Sequence, residues 1–161
     1  MKRRLFLTGA PGTGKSVMLA RSLDASARFA GGYIVLPGGV MLPAAELAVP
    51  NIRRRGREMF TVAAAAAQLA GARAKPFAVF DELGGAALGD VEYYDELVRL
   101  LFAGVPMLGV LRREGAPESE WGELYSLLDH DPDTLILPTT GKYDINAAGA
   151  LRHWSLEWAH A

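Results

Sequence analysis

The chain has 161 residues, half of them hydrophobic and 22% charged, with a formal net charge of −1. That is enough chain for one domain with a real core, and its near-neutral charge argues against a protein that coats nucleic acid or an anionic membrane surface. With no cysteine, disulfides, thiolate metal sites and cysteine nucleophiles are excluded.

The N-terminus passes from Met1-Lys2-Arg3-Arg4 straight into an apolar run that is too short for a signal peptide. No stretch approaches the length of a membrane span, so a cytoplasmic protein is the expectation. Arg4–Thr8 reads as a first, buried strand. Gly9-Ala10-Pro11-Gly12-Thr13-Gly14-Lys15-Ser16 follows and fits Gly-x-x-x-x-Gly-Lys-Ser/Thr, the phosphate-binding P-loop. The spelling has a chemical reason. Glycines let successive backbone N–H groups turn into one concavity, which a Cβ would obstruct. Lys15 supplies a point charge near the β- and γ-phosphates, and the Ser16 hydroxyl is a hard oxygen ligand for Mg²⁺. The helix that opens at about Ser16-Val17 and carries apolar residues at helical spacing aims its N-terminus at the anion. Gly9 to Val17 is therefore the expected nucleotide-binding segment.

This helix is expected to run to about Ala27, with Gly31-Gly32 as a break and Tyr33–Leu36 as a second strand. Pro37-Gly38-Gly39 reads as a turn and Val40–Leu42 as a returning hairpin arm. Residues 43–56 carry no clear pattern. They lead into Arg53-Arg54-Arg55-Gly56-Arg57, the one strongly basic run, read as a solvated face ahead of a site for an anionic partner. Glu58 to Ala70 reads as an alanine-rich, close-packed helix that stops at Gly71.

Pro76–Phe80 is the next strand and ends in Asp81-Glu82. A carboxylate at a strand tip, the Walker-B arrangement, orders Mg²⁺, and a second carboxylate beside it can orient and deprotonate a water for attack on a γ-phosphate. Asp90 is the expected N-cap of a helix whose apolar face is Val91, Tyr94, Leu97, Val98, Leu101 and Phe102, and Gly104 closes it. Met107–Leu111 is another buried strand. The Arg112-Arg113 that follows reads either as a solvated pair or as the source of an arginine finger, with Arg112 the candidate. A helix from about Glu118 carries Trp121, Leu124, Tyr125 and Leu128. Thr134–Leu137 is the last strand, and a helix from about Asp144 to Trp158 ends the chain. In Lys142-x-Asp144 the carboxylate could read a guanine base, but a helix cap is the stronger reading. Tyr33, Trp121, Trp154 and Trp158 read as core or interface residues. His130, His153 and His160 show no ligand spacing.

Strands alternate with helices throughout, which calls for a three-layer α/β fold: a mostly parallel, five-stranded sheet with helices on both faces, in a single domain spanning 1–161. In such sheets ligands sit beyond the carboxyl ends of the strands, where the P-loop, Asp81-Glu82 and Arg112-Arg113 all fall.

Gly9–Ser16, Gly32-Tyr33 and Val79-Phe80-Asp81-Glu82-Leu83-Gly84 together resemble the small P-loop nucleoside-triphosphatases that include the human cancer-related nucleoside-triphosphatase and its bacterial and archaeal thermophile relatives. The resemblance covers about Arg3 to Arg113. It implies a RecA-like P-loop NTPase fold and slow, Mg²⁺-dependent hydrolysis of several nucleoside triphosphates, ATP and GTP among them. Lys15 and Ser16 would hold phosphate and metal, Asp81 would order the metal, and Glu82 would serve the water. The chain departs from the family where a second glutamate is usual: Gly85-Ala86-Ala87 stands there, and the hairpin after Tyr33 is shorter. Two other readings compete, a small-molecule or nucleoside kinase and a nucleotide-binding switch or accessory protein with little turnover.

Overall fold

The computed structural model describes residues 1–9, 15–36, 38–48, 58–139 and 144–161. Seven strands form one sheet in the order β4-β3-β2-β5-β6-β1-β7. They are β1 (Arg4–Thr8), β2 (Ala30–Leu36), β3 (Val40–Pro43), β4 (Glu58–Met59), β5 (Phe77–Gly84), β6 (Met107–Arg112) and β7 (Thr134–Pro138). The expected five-stranded sheet is corrected by two strands. β2, β5, β6, β1 and β7 pair in parallel, while β3 and β4 add antiparallel to the edge at β2 and make the sheet mixed. The hairpin arm Val40–Leu42 is present, in register Leu36↔Val40 to Tyr33↔Pro43. Glu58 and Met59, read as helical, instead pair with Met41 and Val40. Two residues are too few to show a period of two, so the local sequence could not separate this strand from the helix behind it.

The central strands are buried on both faces, and each divides its residues between two cores. Phe6, Ala78, Phe80 and Met107 point to one. Leu5, Leu7, Phe77, Val79, Leu108 and Val110 point to the other. This is why they read as continuous apolar runs. The helices α1 (Lys15–Leu23) and α5 (Ile145–Ala159) cover the second face, through Met18, Leu19, Leu23, Leu151 and Trp154. The first is covered by α2 (Val62–Gly71), α3 (Val91–Phe102) and α4 (Glu118–His130), through Ala65, Leu69, Leu97, Leu124 and Leu128. Helices on both faces are as expected.

Several local elements differ from the expected ones. α1 ends at Leu23 and tightens into a 3₁₀ segment, Asp24–Phe29. Gly31 and Gly32 do not break the chain but lie inside β2: a Cβ on Gly32, at φ +87°, would stand 2.0 Å from the Val79 carbonyl oxygen, so glycine is what lets β2 lie against β5. α2 begins at Val62, with the Thr61 hydroxyl accepting the Ala64 N–H at 3.1 Å, and it buries only Ala65, Ala66 and Leu69. It runs through Gly71 with that residue in right-handed helical geometry and continues as a 3₁₀ turn, Ala72–Ala74.

α3 starts as expected, the Asp90 carboxylate accepting the Tyr93 N–H at 2.9 Å, but its buried face is rolled. Tyr93, Leu97, Leu100 and Leu101 are inside, while Val91 and Phe102 are 76% and 77% exposed. Periodicity alone could not choose between Tyr93 and Tyr94. Tyr93 goes in because its hydroxyl accepts a buried N–H from Gly84, and Tyr94 stays half out and donates to Glu123 at 2.7 Å. Gly104 closes α3 at φ +71°. Trp154 is buried, and its indole N–H, like that of Trp158, donates to the Lys2 carbonyl, which ties α5 to the start of β1. No described helix is long and apolar enough to cross a membrane.

Candidate functional site at the carboxyl ends of β1, β5 and β6

β1 ends at Thr8 and leads into Gly9, whose φ of +150° suits glycine. Ala10 to Gly14, the middle of the expected phosphate cradle, lie outside the described residues, as do Arg53–Arg57 and Lys142. The backbone resumes with Lys15, the first residue of α1; Ser16 and Val17 lie in its first turn. The end of β1 is pinned from β7, where both the N–H and the hydroxyl of Thr139 donate to the Thr8 carbonyl, at 2.8 and 2.9 Å. The Lys15 ammonium donates to the Gly9 carbonyl at 2.9 Å, so its side chain turns back toward the end of β1. Partial burial pulls its pKa down, and the carboxylates of Glu114 and Asp81, in that order, act against the fall.

Asp81 and Glu82 sit at an irregularity in β5. The register with β6 runs Phe80↔Gly109 and then Leu83↔Leu111, three steps on β5 against two on β6. This is a β-bulge, and it shifts the side-chain phase so that Phe80 and Leu83 both enter the same core. Two buried phenols hold it. The Tyr33 hydroxyl donates to the Glu82 carbonyl at 2.7 Å, and the Gly84 N–H donates to the Tyr93 hydroxyl at 3.1 Å. Burial, the first cause in each case, pushes both phenols above their usual pKa, Tyr33 well above it, so both stay protonated. Asp81 is 1% exposed. Its Oδ2 accepts the Val35 N–H at 2.9 Å, taking over where the β2–β5 ladder ends at Tyr33↔Phe80.

Glu82 stands at the surface and is paired with Arg112, the last residue of β6, at 2.7 Å; the side chains are 29% and 47% exposed. Arg112 is thus not a free loop cation but is bound to the acid expected to serve water. Asp144 takes the capping role: its Oδ1 accepts the N–H groups of Asn146 and Ala147 at 3.0 and 3.1 Å. Among the described residues no three His, Asp or Glu side chains converge as a metal site.

Three residues here have no site role in the sequence reading. Glu114 is the leading charged neighbour of Lys15. Trp121 and Tyr125, read as packing residues, stand on the wall of a cavity of about 490 Å³ with Thr8, Gly9, Leu111, Arg113 and Glu114. The spacing of four between Trp121 and Tyr125 was a usable signal, because it puts both rings on one side of α4. Glu114 gave none, because its place depends on where β6 ends relative to β1.

Comparison with protein-family models, with curated proteins and with solved structures found no match.

Proposed function

We propose that this chain is a P-loop nucleoside-triphosphatase, on a RecA-like version of the α/β fold, that hydrolyses ATP, GTP and related triphosphates to diphosphate and phosphate. One observation carries the reading: Gly9 and Lys15 follow β1 at the same carboxyl end of the parallel strands as the Asp81-Glu82 bulge of β5, and Glu114 and Asp81 both act to raise the pKa of Lys15. A P-loop motif matched by chance has no reason to face a buried aspartate two strands away in the order β5-β6-β1.

The donors fit Mg²⁺. Ser16 and one buried carboxylate, Asp81, offer oxygen only, and a site of one or two protein oxygens completed by substrate phosphates and water is how this cation is usually held. When bound, Mg²⁺ would neutralise charge on the β- and γ-phosphates. The protein's own residues do the rest. Lys15 holds the γ-phosphoryl oxygens. Glu82 accepts a proton from a water whose oxygen attacks the γ-phosphorus, and the bond from that phosphorus to the β–γ bridging oxygen breaks as the diphosphate leaves. Arg112 must release Glu82 for this to occur. The pair is exposed enough to exchange partners, and a γ-phosphate, like a carboxylate, accepts the paired N–H groups of a guanidinium.

That same ion pair favours one second reading, a nucleotide-dependent switch with little turnover, in which Glu82 remains engaged by Arg112. Phosphate release over ATP, GTP, CTP and UTP with Mg²⁺ separates the two. Under the hydrolase reading Lys15→Ala loses nucleotide binding, Glu82→Gln binds but turns over at least about 100-fold more slowly, and Arg112→Gln is slowed as well. A faster Arg112→Gln variant supports the switch. Unchanged turnover in Glu82→Gln removes Glu82 from the chemistry.

A further inference from the structure

The cavity beside Gly9 is not accounted for by a triphosphate. Its volume, about 490 Å³, lies within the range of small-molecule sites, and among the described residues it is lined by Thr8, Gly9, Leu111, Arg113, Glu114, Trp121 and Tyr125. Trp121 and Tyr125, one turn apart on α4, have ring centroids 5.9 Å apart and planes inclined by 35°, and together they make an aromatic shelf in the cavity wall. The shelf is fixed from behind. Trp121 packs on the first core, and its ring edge lies so close to Gly84 that a Cβ there would stand 3.4 Å from it. The same cavity wall carries Glu114, which supplies an acceptor, and Arg113, which supplies donors. Aromatic rings with a few charged groups in the same wall suit a planar ring carrying hydroxyl and amino groups.

The position argues that this ring belongs to a second molecule. Lys15 is the P-loop group that sits near the β- and γ-phosphates. Its ammonium donates to the carbonyl of Gly9 and is influenced by the charge of Glu114, and both of those residues are cavity wall. The cavity therefore adjoins Lys15, the group expected at the γ-phosphate end of a bound nucleotide. A nucleotide's own base is separated from that end by the α-phosphate and the ribose.

Resting on the phosphate-cradle reading of Gly9–Ser16, we propose that this cavity binds a nucleoside-class ligand, a planar heteroaromatic ring bearing hydroxyl groups, on the Trp121–Tyr125 shelf at the same time as a triphosphate occupies the P-loop. Arg113 and Glu114 take its polar edge. The test titrates adenosine, guanosine, cytidine and uridine separately into the full chain, following tryptophan fluorescence and isothermal heat, with and without a saturating non-hydrolysable ATP analogue and Mg²⁺. At least one nucleoside is expected to bind saturably in both conditions. Trp121→Ala and, in case that variant folds poorly, the more exposed Tyr125→Ala are each expected to weaken it roughly tenfold, the loss of one base–aromatic stack. Absence of saturable binding by all four overturns the proposal, and so does displacement of the nucleoside by the analogue, which would make the shelf the nucleotide's own base site. A chain that binds a nucleoside but not the analogue overturns the triphosphatase reading and leaves the shelf standing.

Discussion

Replacing Tyr33 by phenylalanine removes one hydroxyl from the device that shapes the acid pair. The ring is fully buried, with centroids 5.4 Å from Phe80 and 5.8 Å from Phe60, and phenylalanine keeps those contacts. What is lost is the 2.7 Å hydrogen bond to the carbonyl of Glu82 in the bulge. Depriving a largely buried carbonyl of its donor costs about 1–3 kcal/mol. At this chain length that lowers the melting temperature by roughly 2–4 °C per kcal/mol. The bulge also sets the direction of the Glu82 side chain. A small displacement of a reacting group can cost about 100-fold in rate, so turnover should fall while nucleotide affinity holds. The alkaline limb gives a second readout. Burial raises the phenols of Tyr33 and Tyr93 above the unfolded value of 10.0, so the fold retains protons that the unfolded chain releases. Stability is then full below pH 10 and declines as pH rises through the raised values, and Tyr33→Phe should make that decline shallower. Thermal melts from pH 7 to 11, with phosphate release and nucleotide titration at neutral pH, measure all three effects. A variant with unchanged melting temperature and unchanged turnover refutes the claim that this hydroxyl holds the bulge.

Other outcomes follow from single contacts. Gly32→Ala forces a Cβ to 2.0 Å from the Val79 carbonyl oxygen at φ +87° and should cost more than about 3 kcal/mol, whereas Gly149→Ala on α5 meets nothing within 4 Å and should gain about 0.5–1 kcal/mol; chemical denaturation compares them. Asp144→Ala strips two N–H groups at the start of α5 of their acceptor and should cost about 1 kcal/mol by the same assay. Burial works to raise the pKa of Asp131, but the Asp133 N–H, the Thr134 hydroxyl and the Arg4 guanidinium outweigh it and hold the carboxylate below its ordinary 3.8. Its contribution is present above that pH and lost as pH falls through the lowered value, so Asp131→Asn should flatten the acid limb of an unfolding profile.

The sequence by itself determined the alternation of strands and helices, the central apolar strands, the helix starts at Asp90 and Asp144, and the P-loop spelling from Gly9 to Ser16. These are local properties. Burial on both faces makes a strand continuously apolar, and a cap or a glycine-rich turn is written within a few residues. Tertiary structure alone decided the two antiparallel strands at the edge, the roll of α3 that sends Tyr93 inward, the bulge at Asp81-Glu82, the pairing of Glu82 with Arg112 and the arrival of Glu114 beside Lys15. Each of these joins residues from separate elements, 30 positions apart for Glu82 and Arg112, and depends on where neighbouring strands end relative to one another. That offset is fixed when the strands pair and the helices close over them, so no window of sequence contains it.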